Sequence, residues 1–169
     1  KEKRDRRHLY LANEGLALGA EALTDMAEGD KEKRKTAQTD KKKKLVNPLF
    51  AVSAFRLSVR NLAKSVDDKA LKELATKATI AGVKKARVSE LDMETLMMAE
   101  GVPLTERTDK AKKIPDPANK RNIKFCKVML DLDRIRAGVP QSRGYGFVEF
   151  KHHLHALACL RELNNNNTY

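Results

Sequence analysis

Eight consecutive residues, Arg143-Gly144-Tyr145-Gly146-Phe147-Val148-Glu149-Phe150, restrict the fold of this 169-residue chain more than any other segment. Side chains alternate across a strand, so these residues sort onto two faces. Gly146, Val148 and Phe150 point one way and suit a core packed under helices. Arg143, Tyr145 and Phe147 point the other way, where a cation and two rings stand on an open face. Uncovered rings in a strand with nothing to bind are a liability. The segment therefore predicts a sheet with one covered and one working face.

The surrounding sequence supplies the rest of such a sheet. Phe55 to Leu62 alternates apolar and polar residues and predicts another strand. Ser65, with Asp68 three residues on, fits a capping box that opens a helix. Leu71, Leu74, Ala75 and Ala78 then share one helical face. Ile123 to Leu130 predicts the next strand, Asp131 to Arg143 a polar loop around Gly138 and Pro140, and Tyr145 to Phe150 a third strand. A last helix spans about Leu154 to Leu163, with Ala156, Cys159, Leu160 and Leu163 spaced i, i+3, i+4, i+7. The order is β-α-β-β-α, interrupted by residues 82–122. In that segment Ser89 and Asp92 form a second capping box, Met93, Leu96 and Met97 form a stripe ending at Gly101, and Pro103, Pro115 and Pro117 follow among charges. A connection this long predicts a disordered or partner-binding insertion; its methionines suit packing better than cofactor binding, and a short helix there would dock its stripe on the parent domain or on a neighbour.

Charge narrows the partner. Lys and Arg number 35 against 23 Asp and Glu, a formal net charge of +12. Such an excess favours a polyanion, because neutralised phosphates release condensed counterions. Within residues 1–48, the runs Lys31 to Lys35 and Lys41 to Lys44 read as solvated tethers or phosphate contacts and resemble nuclear-import patches. A short apolar island, His8 to Ala12, precedes an expected helical stretch around Ala17 to Ala27, which Gly15, Gly19 and Gly29 interrupt. Residues 1–48 are thus expected to form a partly helical basic arm ending at Asn47-Pro48, lying along a partner, with the folded domain at 55–169.

Other classes of chemistry find little support. Cys126 and Cys159 fit neither a disulfide framework nor a CxxC metal site. The sequence has no long apolar run for a membrane span and no secretory pattern, so an intracellular setting is expected. His152, His153 and His155 cluster, and His155 with Cys159 has the i, i+4 spacing of a zinc pair. No second ligand pair accompanies them, and Cys159 fits the apolar helix face. With no nucleophile elbow and no phosphate-cradling glycine loop, the reading is a non-enzymatic protein with no cofactor, metal or small-molecule substrate.

The octamer matches, at every defined position, the RNP1 motif of the RNA-recognition motif (RRM) family, and Leu57-Ser58-Val59-Arg60-Asn61-Leu62 resembles its partner motif RNP2 on the first strand. The resemblance implies an α+β, ferredoxin-like β-α-β-β-α-β sandwich that holds single-stranded RNA on its sheet. It assigns RNA contact to Arg143, Tyr145, Phe147, Arg60, Ser58, Asn61, Lys127 and Met129, with Lys41, Lys42, Lys43 and Lys44 as a basic arm. A base stacked on an aromatic ring contributes roughly 1–3 kcal/mol. Gly144 and Gly146 would keep bulk away where backbone and bases approach. Two departures stand out. Ser58 occupies a position that is usually aromatic, removing one of three platforms, for which Arg60 would partly compensate. The chain also stops in an Asn-rich turn where the fourth strand should begin, which leaves the first strand as an edge and reads as a piece of a longer protein.

Arg7 to Gly15, Asn47-Pro48, Val52-Ser53, Val66 to Lys69 and Leu163 to Asn166 further resemble the fungal and animal multi-RRM nucleolar proteins of large-subunit assembly. That likeness implies a nuclear, nucleolar factor that binds precursor ribosomal RNA, with ribosome-assembly proteins as possible partners. A protein-interaction module within a ribonucleoprotein, or an RRM of mRNA processing, are the competing readings.

Overall fold

A computed structural model describes residues 11, 14, 26–47, 49–50, 52–99, 116–119, 121–136, 138–164, 166 and 168–169. The chain divides into two units, Lys1–Ser53 and Ala54–Tyr169.

The first unit contains helix α1, Glu28–Val46, none of whose residues is buried. A helix polar on every side draws its stability from its own charges. Lys31 pairs with Glu28 at 3.2 Å and Lys33 with Asp30 at 3.0 Å. Glu28 and Asp30 lie in the first turn and Lys43 and Lys44 in the last, both favourable to the helix dipole. The helix therefore lies where the sequence read a charged tether. The helical stretch expected at Ala17 to Ala27 and the island at His8 to Ala12 fall almost wholly outside the described residues.

In the second unit, strands β1 (Arg56–Arg60), β2 (Ile123–Arg136) and β3 (Val139–Phe150) join helices α2 (Asp68–Lys84), α3 (Glu90–Ala99) and α4 (His153–Leu163). The strands form an antiparallel sheet in the order β1-β3-β2, so β1 and β2 are its edges. Among the described residues this is a mixed α/β arrangement with a three-stranded sheet, consistent with an RRM-like fold that lacks its last strand. Leu71, Ala75 and Ala78 of α2 meet Val128, Val148, Phe150, Ala156 and Cys159 in one buried cluster, flanked by Leu57, Val59 and the half-buried Cys126. The helices therefore cover the even-numbered face of β3.

Two glycines set the spacing of these layers. A Cβ at Gly82 would run into the backbone of Ala158, so the gap at this position is what lets α2 and α4 cross closely. A Cβ at Gly146 would lie 2.7 Å from the Lys127 carbonyl and 2.8 Å from Leu71 Cδ2. Gly146 thus makes room for the helix and the neighbouring strand on the covered face; the expectation that it clears space for bases is corrected. Gly144 has φ +78°, a left-handed conformation that glycine takes without strain.

Three local readings also change. Ser65 does not open α2; Asp67 is its N-cap, and its side chain accepts from the Ala70 N–H at 2.7 Å. Asp68 instead accepts the Val128 N–H at 2.6 Å, satisfying a backbone donor on an edge strand. The polar loop expected at Asp131 to Arg143 is a long hairpin, with Arg136 paired to Val139 and Gly138 at φ +78° in the turn. Its strands run past the end of β1 as a two-stranded ribbon.

The sequence set residues 82–122 outside the core, yet Gly82, Val88, Leu96 and Met97 are buried. The Ser89–Asp92 pair is real on one side: Asp92 accepts the Ser89 N–H at 2.8 Å. Arg161 of α4 grips Asp92 with two bonds of 2.9 and 3.0 Å, which anchors α3 to the domain. Residues 100–115, including Gly101, Pro103 and Pro115, lie outside the described residues.

Candidate nucleic-acid interface

Strand register builds the open face row by row. Arg60 pairs with Tyr145, and Ser58 with Phe147, which pairs on its other side with Lys127. Arg56 pairs with Glu149, which faces Phe125 across the second ladder. The Tyr145 and Phe147 rings stand 6.1 Å apart at 90° to one another, and neither belongs to the buried core. An edge-to-face pair of this kind holds the two rings in a fixed mutual orientation.

The expected site residues therefore gather unevenly. Tyr145, Phe147, Arg60, Ser58 and Lys127 come together on one face, and Arg143 joins them through its hydrogen bond to Tyr145. Met129, half-buried, sits at a break in the β2–β3 register. Asn61, just beyond β1, has φ 60°, the left-handed conformation that asparagine tolerates best among side-chain-bearing residues. The chain there turns so that the Leu62 N–H donates to the Gly144 carbonyl at 2.9 Å, tying the end of β1 to β3. Lys41, Lys42, Lys43 and Lys44 lie in α1, in the other unit. Lys41 donates to the Glu14 carbonyl at 3.2 Å, and burial lowers its pKa despite the attraction of Glu14.

Phe125 is a residue the sequence reading missed. It is 44% exposed, and its register with Glu149 puts it on the same face as Phe147. The Arg56 guanidinium lies 5.8 Å from its ring centre, within cation–π range. The signal was present: Phe125 has the same parity as Lys127 in a strand already predicted. A third ring thus exists on this face, on β2, while the usual β1 platform is Ser58.

Electrostatics keep the face ionised. Glu149 is bridged by Arg56 at 2.7 Å and Lys124 at 2.9 Å, and bonding to Lys124 and then Arg56 lowers its pKa. Arg143 is held cationic by hydrogen bonding to Tyr145 and by the charge of Asp131, 3.6 Å away. The thiols differ. Burial pushes Cys159 up to about 12 and Cys126 to about 11, so neither supplies a thiolate at neutral pH. Among the described residues no three His, Cys, Asp or Glu side chains are grouped to hold a metal ion, and no helix is long and apolar enough to cross a membrane.

A three-stranded antiparallel sheet, covered by helices on one side and carrying cations and rings on the other, has the form of an RNA-recognition-motif fold. Residues 114–169 match the family model described as RNA recognition motif. Over 162 residues, 95% of its length, the chain is 35% identical to human RNA-binding protein 28. It spans 17% of the length of that relative. No solved structure matches the chain.

Proposed function

We propose that this chain is a single-stranded RNA-binding module of a nucleolar factor in large-subunit (60S) ribosome assembly, and that it holds precursor ribosomal RNA on its open sheet face. The observation that carries the reading is the pair Tyr145 and Phe147, oriented edge to face and left out of the core. Bases stack on such rings with little regard to sequence, and Arg143, Arg60 and Lys127 supply charge for the backbone. Likeness to a protein named for RNA binding supports the partner class. The flanking resemblance described above supports precursor ribosomal RNA, assembly-protein partners and a nucleolar setting. The basic helix α1 adds non-specific attraction to phosphate. The module binds and orders RNA and performs no chemical step.

The test is crosslinking in cells of the protein carrying Tyr145→Ala, Phe147→Ala and Arg143→Glu together. Loss of ribosomal-RNA crosslinks with retained folding supports the reading. Crosslinks mapping to messenger RNA would replace the target. Unchanged crosslinking would favour a protein-docking role, for which the exposed Leu130, Leu132, Ile135 and Val139 on the ribbon are the specific observation.

A further inference from the structure

Helix α2 carries a second charged surface, turned away from the open sheet face. Leu71, Ala75 and Ala78 are buried in the core beneath the sheet. At about 100° per residue, Lys69, Lys77 and Lys84 fall on the opposite side of the helix, and all three are exposed. Lys72, also exposed, flanks them on the side of β2, where its charge reaches Cys126. The helical rise spreads Lys69 to Lys84 over about 22 Å. Among the described residues, none of these four side chains has an ion pair or a hydrogen bond. Glu73, four residues from both Lys69 and Lys77, is the only carboxylate that α2 sets among them, so the stripe is strongly positive.

The make-up of the stripe selects its ligand. No large apolar side chain of α2 is exposed, whereas protein interfaces are anchored by apolar and aromatic residues and are poor in lysine. Helix α2 has no aromatic ring on which a base could stack, so nothing on it holds a flexible single strand in place. Ammonium groups spaced along a rigid helix suit phosphates that are themselves fixed in a regular array. We propose that this stripe binds the phosphate backbone of double-stranded RNA, so that the domain carries a stem on α2 and a single strand on its sheet. The core separates the two surfaces, and they share no residue. The stem site therefore goes beyond the sheet-face reading and stands or falls apart from it.

The experiment measures fluorescence anisotropy of the whole 169-residue chain with a labelled RNA duplex of roughly twelve base pairs and with labelled oligouridylate of roughly ten nucleotides. Lys69→Gln, Lys77→Gln and Lys84→Gln together are expected to weaken duplex binding about tenfold and to reduce its salt slope by up to about 2.7. Oligouridylate affinity should change by less than about twofold. Glu73→Gln removes the competing anion and is expected to tighten the duplex. Thermal melting verifies that the variants fold. In a chain whose Lys41, Lys42, Lys43 and Lys44 are replaced by glutamine, the triple change should cost the duplex the same factor, and saturating unlabelled oligouridylate should leave the duplex bound. If Tyr145→Ala with Phe147→Ala abolishes oligouridylate binding while the triple variant keeps full duplex affinity, the sheet-face reading stands and the stem site is overturned. If the triple variant keeps the duplex but loses binding to polyglutamate, the stripe docks an acidic protein and the stem site falls. Displacement of the duplex by oligouridylate, or tighter binding of a DNA duplex of the same sequence, also overturns it. If the triple variant loses the duplex while the ring changes leave oligouridylate untouched, the stem site stands and the sheet-face reading fails.

Discussion

Individual side chains decide what the sheet can hold. Tyr145 and Phe147 were legible because parity alone puts them opposite Val148 and Phe150, and the core takes the latter pair. Phe125 shares their face but escaped notice, because the RNP motifs mark β1 and β3 and say nothing of β2. Its exposure makes a quantitative expectation possible. Phe147→Ala and Tyr145→Ala should each weaken RNA binding by about 1–3 kcal/mol, read as a change in dissociation constant by anisotropy titration. Phe125→Ala should weaken it toward the lower end of that range, since Arg56 already engages the ring. Placing an aromatic at Ser58, directly across from Phe147, should strengthen binding; no gain in Ser58→Phe would show that RNA does not cross that part of the face. Asp68 teaches the opposite lesson about spacing. Asp68 lies three positions after Ser65, so a capping rule fits them, but the carboxylate is consumed by an edge-strand N–H distant in sequence. Local rules cannot see such a tertiary competitor.

Elements were easier to foresee than the contacts that lock them together. The β-α-β-β-α order follows from periodicity, whereas the hairpin was misread as a loop because Gly138, Pro140 and many charges normally mark loops. Pro140 is tolerated at a register shift, where it faces Ile135. The α2–α4 contact depends on Gly82, a residue whose role could not be read without knowing that Ala158 would meet it. Gly82→Ala should therefore lower unfolding stability by about 1–3 kcal/mol in chemical denaturation, with RNA affinity of the folded fraction kept. A second lock is Glu162, a buried carboxylate in a helix position that pattern reading assigned no role. Lys85 and Arg87, just after α2, reach it, and the Tyr169 hydroxyl donates to it at 3.1 Å. Bonding to Lys85 holds its pKa below the ordinary glutamate value. Because the folded-state pKa is the depressed one, the contribution is complete above the unfolded value of about 4.3 and is lost as pH falls through the folded value. Melting temperature should thus drop on acidification through that window. Glu162→Gln should start lower at neutral pH and show a shallower acid dependence, which differential scanning calorimetry across pH would register.

At the scale of the whole chain, charge acts where no single contact does. The net +12 is distributed over both units, and α1, which has no buried residue, concentrates Lys41, Lys42, Lys43 and Lys44 in its last two turns. Such lysines cannot read bases; they contact phosphate, and the counterions they release make affinity depend on salt. Tethered to the sheet-bearing unit, they act at high effective concentration, so a modest local attraction raises the affinity of the whole. Replacing all four lysines with glutamine should consequently lower affinity for single-stranded RNA at low salt and reduce the slope of log affinity against log salt by up to about three. The modest preference among oligonucleotides that base stacking gives should persist, because the side chains on the sheet remain. Titrations at several salt concentrations separate these effects: a lost preference with an unchanged slope would mean that the helix reads bases or shapes the sheet, and that the division of labour between a charged arm and a stacking face is wrong. Lys41 adds a refinement. Its bond to the Glu14 carbonyl and its partial burial already engage one of the four, so Lys41→Gln alone should reduce the slope less than Lys43→Gln alone.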